Sequence, residues 1–190
     1  MSEAPKICFS SDYHIGHLNV IKYGNRPCKF DRDDLNKWII QQHNSVVNPQ
    51  DTFYHLGDLT FYRKDKYNLI AENVEKLNGI KHLIIGNHDD EYILRKLYHD
   101  GLVASYQHYK ELNINNQRIV LFHYPIYQWN QGHRGSWHLH GHTHGTFKNY
   151  TAGGKILDAG IDSHPKKIPY TYMELVGIMA LQKPGVHHDL

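Results

Sequence analysis

The 190-residue sequence lacks several features that mark specialised classes of protein. Its two cysteines, Cys8 and Cys28, show no spacing typical of a disulfide framework or a cysteine-based zinc site, so we expect both thiols to be reduced. No apolar run approaches the roughly 18 residues of a membrane span, and the N-terminal segment lacks the basic-then-apolar order of a signal peptide. We therefore expect a soluble, cytoplasmic protein without membrane contact.

The sequence also has no large excess of positive or negative residues. The chain has 21 Lys and Arg residues against 19 Asp and Glu residues, and the two signs are interspersed. Proteins that bind long stretches of nucleic acid concentrate basic residues on one face, so extended nucleic-acid binding is not indicated. The length and the 40% hydrophobic content suit a single domain over residues 1–190, and the sequence leaves the oligomeric state open.

Histidine is the residue type that the sequence has in excess. There are 17 histidines, most of them beside apolar runs or glycines, and this composition predicts metal or acid–base chemistry. A histidine outside a cluster is more often a surface residue or a satisfied core residue. That plainer interpretation applies to His43, His55, His82, His99, His108, His164, His187 and His188.

Hydrophobic periodicity predicts alternating strands and helices in the first half of the chain and short strands in the second. The predicted strands cover residues 6–10, 52–56, 82–85, 103–112, 118–122, 137–139 and 155–158. Helices are predicted after an Asp31 cap, over 66–77 with Gly79 as its C-terminal cap, and over 91–98. A Thr171-x-x-Glu174 capping box predicts a last helix over 172–181, with a strand as the alternative. The pattern indicates two β-sheets packed face to face with helices outside.

Metal-capable side chains follow the predicted strands. They are Asp12 and His14, then Asp58, then Asn87, His88 and Asp89, then His123, and last His142 and His144. Because strand carboxyl ends converge on one crevice in open α/β sheets, we expect these clusters to form one site. Residues two apart in an extended segment point the same way, so Asp12 with His14, and His142 with His144, are each expected to present a pair.

Five motifs in this order resemble the calcineurin-like metallophosphoesterase superfamily over residues 7 to about 162. They are Asp12-Tyr13-His14, Gly57-Asp58, Gly86-Asn87-His88-Asp89, His123 and Gly141-His142-Thr143-His144. The segments FSSDYHIGHLNVIKYGNRP and DAGIDSHPKKIP further resemble a small bacterial and phage-type subgroup without cap domains. The resemblance implies a four-layer α/β/β/α sandwich of two mixed β-sheets flanked by helices, with a binuclear metal centre.

The resemblance also implies roles for the motif residues. One metal would be held by Asp12, His14, Asp58 and His144, and the other by Asp58, Asn87, His123 and His142. These ligand types suit two divalent transition metal ions, with Mn²⁺ expected first and Fe, Zn or Ni as alternatives. His88 would be the catalytic acid that protonates the leaving group, and Asp89 would orient it.

Residues on the substrate side are less constrained. His17, Asn19 and Arg26 belong to the subgroup motif and, with Arg134 from a later loop, are expected to line the substrate phosphate. A helix beginning near Gly16 would offer N–H groups to an anion; alternatively, His17 and Asn19 only cap and pack that helix. His138 and His140 are either hydrogen-bond partners behind the site or spacers. An aromatic group is expected to form the site wall, with base binding as its alternative: Trp129, Trp137, Tyr124 and Tyr127.

The implied function is a binuclear-metal phosphodiesterase that hydrolyses small phosphodiesters, such as cyclic nucleotides or short nucleotides, by metal-activated hydroxide attack on phosphorus. Because few arginines accompany the motifs, we expect a diester rather than a dianionic monoester. A phosphomonoesterase and a DNA nuclease are the alternatives, although a nuclease would need DNA-binding segments that this short chain has little room for. A protein-binding scaffold is disfavoured by the intact ligand set.

Overall fold

The computed structural model describes residues 4–147 and 154–185 as two packed β-sheets with helices. The strands, in chain order, are β1 (Ile7–Ser10), β2 (Thr52–His55), β3 (Ile80–Ile84), β4 (Ser105–Gln107), β5 (Tyr109–Ile114), β6 (Gln117–Phe122), β7 (Trp137–His140), β8 (Lys155–Asp158) and β9 (Tyr170–Thr171). The helices are α1 (Val20–Tyr23), α2 (Arg32–Asn44), α3 (Tyr67–Glu75), α4 (Glu91–His99) and α5 (Tyr172–Ala180). In these two ranges, no helix has the length and apolar content needed to cross a bilayer.

Both sheets are mixed. The first has the order β4-β3-β2-β1-β9, with β1 to β4 parallel and β9 antiparallel to β1. The second has the order β5-β6-β7-β8, with β5 antiparallel to β6 and the other pairs parallel. The predicted fold class, two mixed sheets flanked by helices, is confirmed.

Alternation along the strands divides the apolar side chains between two cores. Cys8 and Phe53 point outward from the first sheet and pack with buried side chains of α2, α3 and α4, such as Leu35, Ile70 and Leu94. The neighbouring residues point inward and form the core between the sheets, which contains Phe9, Ile84, Ile119, Leu121, Trp137, Leu139, Leu175 and Met179. Leu175 and Met179 place α5 against this second core.

The outer core also holds His43, whose imidazole is buried and fully paired. Its Nδ1 lies 2.8 Å from the Tyr13 hydroxyl, and its Nε2 lies 2.9 Å from the Asn78 carbonyl oxygen. Burial lowers the pKa of His43 from 6.5 to about 4. The plainer interpretation of His43 as a satisfied core histidine is therefore confirmed.

Two predicted helix starts are confirmed by their caps. The Asp31 carboxylate accepts hydrogen bonds from the backbone of Asp33 and Asp34 at the start of α2. Thr171 and Glu174 form the reciprocal capping box at the start of α5, so this segment is a helix and not a strand. Local side-chain bonds decide both cases, which is why the sequence reveals them.

Other boundaries differ from the prediction. The predicted strand over 103–112 is interrupted near His108, because β4 pairs in the first sheet while β5 pairs in the second. Gly79 does not cap α3, which ends at Glu75 with Lys76 at its C-cap. The φ of +89° at Gly79 instead serves the turn into β3. The helix expected near Gly16 begins at Val20 and has four residues, too few for an anion site at its N-terminus.

Candidate metal centre

The candidate metal centre lies where five strand-end loops meet. The loops follow β1, β2, β3, β6 and β7, and they carry Asp12 and His14, Asp58, Asn87 and His88, His123, and His142 and His144. Burial is graded across the cluster: Asp12, His14, Asp58 and His123 form a buried floor. Asn87, His88 and His142 are exposed at its rim. A ligand can therefore reach the floor from the rim side.

The first half of the cluster is formed by Asp12, His14 and His144. The Nε2 atoms of His14 and His144 each lie 3.9 Å from Asp12 Oδ1, and all three ligand atoms lie within 4.8 Å of one another. The 3.9 Å separations are too long for hydrogen bonds. They are close to the spacing of two donors on one ion, about 3 to 3.5 Å for metal–ligand bonds of about 2.0–2.2 Å. This half could hold a metal ion.

The second half is formed by Asp58, Asn87, His123 and His142. His123 Nε2 and His142 Nδ1 each lie 2.9 Å from the Asn87 amide oxygen. Asp58 Oδ2 lies 3.5 Å from His123 Nε2 and 3.6 Å from His14 Nε2. Asp58 thus stands between the two halves.

Hydrogen bonds behind the cluster set the direction of two imidazoles. The Nδ1–H of His123 donates to the Leu56 carbonyl at 2.8 Å, so its Nε2 faces Asp58. The Nδ1–H of His144 donates to the Asp162 carboxylate at 2.9 Å, so its Nε2 faces Asp12. Partners of this kind fix the ring orientation of metal-binding histidines.

Backbone conformation provides a separate indication of function. Five residues of the cluster have a left-handed backbone with positive φ: Asp12, His14, Asp58, His142 and His144. Strained conformations of non-glycine residues concentrate at active sites and ligand clamps. The pairs at i and i+2 therefore converge through left-handed loop residues, and not through the extended segment that was predicted.

Two glycines allow the loops to approach closely. A Cβ atom at Gly86 would lie 2.2 Å from Asp58 Oδ1, and one at Gly141 would lie 2.4 Å from Ser11 Oγ. Neither space can hold a side chain, so these positions require glycine. The two glycines bring the β3 and β7 loops against the carboxylates of Asp58 and Asp12.

The floor of the cluster is electrostatically unbalanced. Burial raises the pKa of Asp12 to about 7 and lowers the pKa of His14 to about 2. At Asp58, burial raises the pKa, but hydrogen bonds from His123 and the His88 backbone outweigh it and bring the value to about 2. The neutral His14 supplies no compensating charge, and buried carboxylates are favourable only with positive charge beside them. A bound cation would supply that charge.

Arg26 does not line the substrate site, contrary to the sequence prediction. Its guanidinium is buried, and it donates two hydrogen bonds of 2.9 Å to the Asp162 carboxylate. The same group donates to the carbonyl oxygens of Tyr13 at 2.7 Å and Asp12 at 2.6 Å. Arg26 therefore fixes the β1 loop from behind, and its charge is already paired.

The other predicted substrate-side residues have different environments. His17 lies at the cluster, with its ring centroid 5.4 Å from that of His14. Asn19 is exposed, and its side chain makes no capping bond to α1. Arg134 is exposed at the end of a short 3₁₀ turn, Gly132–Arg134. Of these three residues, His17 is the one that packs against a ring of the cluster.

Asp89 has a different set of partners from the one expected. Its carboxylate accepts hydrogen bonds from the backbone N–H groups of Gly86, Asp58 and Leu59, at 2.8 to 2.9 Å. It therefore ties the β2 loop to the β3 loop and does not bond the His88 imidazole directly. Any control of His88 by Asp89 passes through the loop backbone.

Contacts show where His138 and three of the four aromatic residues of the second half of the chain lie. His138 Nε2 lies 3.1 Å from the Tyr124 carbonyl and accepts from the Ile126 N–H at 3.3 Å, so His138 anchors the loop after β6. Trp129 packs on His138, and Trp137 lies in the core between the sheets. Tyr124 packs against two rings of the cluster, with centroids 5.0 Å from His123 and 4.8 Å from His142.

Three residues that support the centre have no role predicted from the sequence. Asp162 orients His144 and pairs with Arg26. Asp158 accepts hydrogen bonds from Thr143 and Gly145 in the β7 loop. Phe61 stacks on His17 beside the cluster. The signal for Asp158 and Asp162 was their place in DAGIDSHPKKIP, and Phe61 lies three residues after Asp58.

The chain is similar in sequence to a protein without a described activity, and it shares its fold with a solved structure. No family model matches the sequence. An uncharacterized protein of Methanocaldococcus jannaschii is 34% identical over 139 residues, which cover 73% of this chain and 69% of the relative. A protein of unknown function from Aquifex aeolicus shares the fold with a TM-score of 0.69 at 24% identity, over 92% of this chain and 100% of that one. A protein described as a novel archaeal phosphodiesterase is 20% identical, with a TM-score of 0.48, over 82% and 83% of the two chains.

Proposed function

The chain belongs to the same protein family as the uncharacterized Methanocaldococcus jannaschii protein, and because that relative has no described activity, we propose a function from the site itself. We propose that the protein is a metal-dependent phosphodiesterase of the calcineurin-like type. It would hold two divalent transition metal ions, Mn²⁺ first among them, and hydrolyse small phosphodiesters.

The observation that carries the proposal is the convergence on Asp58. Imidazole nitrogens from the β1 and β6 loops lie 3.6 and 3.5 Å from the same carboxylate oxygen, Asp58 Oδ2. A shared carboxylate with nitrogen donors on two sides is the arrangement expected of a two-metal site. Asp58 also has a left-handed backbone conformation, which a non-glycine residue rarely adopts unless the surrounding structure holds it there.

The donor set suits the proposed metals. Asp12, His14, Asp58 and His144 would hold one ion, and Asp58, Asn87, His123 and His142 would hold the other. Carboxylate oxygens with imidazole nitrogens are typical ligands of Mn, Fe, Zn and Ni. When bound, such ions polarise phosphoryl oxygens and lower the pKa of a water that can attack phosphorus.

His88 is the proposed proton donor to the leaving group. Its side chain is exposed at the rim, and its backbone N–H donates to Asp58 Oδ1 at 2.8 Å. That bond ties the position of His88 to the central carboxylate, and the Asp89 bonds hold the same loop. An imidazolium placed next to the scissile bond can protonate the departing oxygen.

The charges near the centre favour a diester over a monoester. A phosphomonoester is a dianion and gains most from additional cationic side chains. Arg26 is already paired with Asp162, and Arg134 is exposed on a later loop, so the cluster has few free cationic groups to offer. A monoanionic diester needs fewer of them.

The proposal is tested by metal removal and return with bis(4-nitrophenyl) phosphate as substrate. Chelated protein should lose hydrolysis and bound metal together, and Mn²⁺ should restore both. Asp58→Asn should cause the largest loss of bound metal among the single ligand changes, because it weakens both halves. Asp65→Asn, an exposed carboxylate in the 3₁₀ turn Lys64–Lys66, is the control and should behave as wild type. Full hydrolysis by metal-free protein would rule the proposal out.

A further inference from the structure

Phe61 is a large apolar side chain that remains 46% exposed beside the candidate centre. One face of its ring is stacked on the His17 imidazole, with centroids 3.9 Å apart and planes 9° apart. The ring centroid also lies 5.4 Å from that of His88 and 6.5 Å from that of His14. The exposed part of the ring therefore borders the side of the cluster where the proposed proton donor lies.

The backbone around Phe61 is fixed to the β1 loop. The Phe61 N–H donates to the Ile15 carbonyl at 3.0 Å, and Thr60 Oγ1 donates to the same carbonyl at 3.2 Å. The next residue, Tyr62, points inward, where its ring fills the space that a Cβ at Gly16 would occupy. The segment is thus bonded beside His14, and Phe61 is held in place before any substrate arrives. A preorganised surface costs little ordering entropy on binding.

The direction of the chemistry determines what Phe61 would contact. His88 protonates the oxygen that leaves, so the leaving group must lie next to His88 and hence next to Phe61. A flat ring on that leaving group would meet the Phe61 ring, which His17 supports from the opposite face. Stacking of a nucleobase on an aromatic side chain contributes about 1–3 kcal/mol and tolerates any base.

We propose that Phe61 is a specificity-determining residue that stacks on the base of a nucleoside leaving group, and that the substrates are nucleoside phosphodiesters. This inference rests on the proposed phosphodiesterase function. In the reaction, the oxygen of water forms a bond to phosphorus and its proton is released to solvent. The P–O5′ bond breaks, O5′ takes the proton from His88, and solvent returns a proton to His88. The products are a nucleoside and the phosphomonoester of the other substituent.

The experiment compares two esters that differ only in the base. The first is adenosine 5′-methylphosphate, and the second is 1-O-methylribose 5-methylphosphate, which has the same scissile bond without a base. We expect wild type to favour the first in kcat/KM by about 10- to 100-fold, the range that base stacking provides, and to release adenosine. Phe61→Leu keeps apolar bulk without a flat face and should bring the ratio close to one.

Two further variants separate stacking from a general structural effect. Phe61→Tyr preserves the ring and should preserve the ratio. Tyr98→Leu removes an aromatic side chain that is 47% exposed on α4 and should leave both esters unaffected. Equal losses on both esters in Phe61→Leu, or no preference for adenosine in wild type, would overturn the inference while the phosphodiesterase proposal stands.

A binding readout keeps the inference testable if hydrolysis fails. The fluorescence of 2-aminopurine falls when it stacks, so rapid mixing of 2-aminopurine riboside 5′-methylphosphate with the protein reports base stacking before turnover. Wild type and Phe61→Tyr should quench it, and Phe61→Leu should not. If neither these esters nor bis(4-nitrophenyl) phosphate is hydrolysed with Mn, Fe, Zn or Ni ions, the proposed function is wrong. Hydrolysis of bis(4-nitrophenyl) phosphate alone overturns only the inference. If the Phe61→Leu variant quenches the fluorescence as wild type does, the base does not stack on Phe61.

Discussion

Arg26 and Asp162 form a buried ion pair beneath the candidate metal centre, with both hydrogen bonds at 2.9 Å across 136 residues of sequence. The same Asp162 carboxylate accepts from His144, and the same guanidinium holds the carbonyls of Asp12 and Tyr13. The pair therefore connects a proposed ligand of the β7 loop to the backbone of the β1 loop. Disturbing it should affect the metal and the fold together.

Asp162→Asn should weaken metal binding by about 10- to 100-fold, the usual effect of removing a partner that orients a ligand histidine. It should also lower the free energy of unfolding of the metal-free protein by about 3–5 kcal/mol, because Arg26 would remain buried with only part of its charge compensated. Calorimetric metal titration and urea unfolding measure the two effects.

The control for Asp162→Asn is Glu111→Gln, which breaks the half-exposed ion pair between Glu111 and Arg118. Exposed pairs of this kind contribute about 0 to 1 kcal/mol, so this variant should bind metal as wild type does. Normal metal affinity in Asp162→Asn would show that Asp162 does not support His144 in the way described.

His88→Ala should retain both metals and slow the hydrolysis of alkyl or nucleoside esters by about 10²- to 10⁴-fold, the usual contribution of general acid catalysis. A nitrophenyl ester should lose much less, because nitrophenolate leaves without protonation. Parallel kinetics on the two leaving groups, with metal analysis of the same samples, measure the difference. Loss of a metal, or equal slowing of both esters, would mean that His88 is not the proton donor.

His17→Ala should lower kcat/KM for diesters and leave the metal content unchanged, because His17 supports the Phe61 ring and lies at the rim without being a proposed ligand. Wild type should also hydrolyse diesters faster than monoesters with matched leaving groups. Rates for both ester classes on wild type and variant check these points. A clear monoester preference contradicts the second expectation, and unchanged diester kinetics in the variant contradict the first.

The buried His43 should make the fold sensitive to acid. Its folded pKa, about 4, is below the unfolded value near 6.5, so the unfolded chain binds the proton more readily. Its contribution to the free energy of unfolding is full above pH 6.5 and is lost as the pH falls from 6.5 towards 4, on the order of 2 kcal/mol by pH 5.

Urea unfolding at pH 7 and pH 5 measures the His43 effect. His43→Gln removes the titrating group and should reduce the difference between the two pH values, although it will lower stability at both. His108→Gln changes an exposed histidine and should show the wild-type difference. An undiminished difference in His43→Gln would show that other groups account for the acid sensitivity.

The sequence revealed the parts of the structure that depend on local features. The caps at Asp31 and Thr171 are bonds between residues three or fewer positions apart, and the predicted site residues follow strand ends that periodicity locates. The change of sheet between β4 and β5 was not predictable, because a residue's preference for a strand does not say which sheet the strand joins. The two-residue β9 is too short to show a period.

Arg26 shows the limit of interpreting a side chain without its surroundings. An arginine inside a motif that resembles a phosphate site is expected to meet the phosphate, and nothing near it in sequence opposes that interpretation. Its actual partner, Asp162, is 136 residues away. Phe61 was missed for the opposite reason, since an isolated phenylalanine after a strand is ordinarily a core residue.

The pairing of β9 with β1 has a consequence for the order of events during synthesis. Strand β1 leaves the ribosome before the β7 loop, Asp162 and β9, because these segments follow it in the chain. The hydrogen bond from the His142 N–H to the Asp12 carboxylate, for example, joins residues 130 positions apart. A nascent chain therefore exposes Asp12 and His14 before their partners exist, and the pocket can close only after the segment that carries Asp162 has been made.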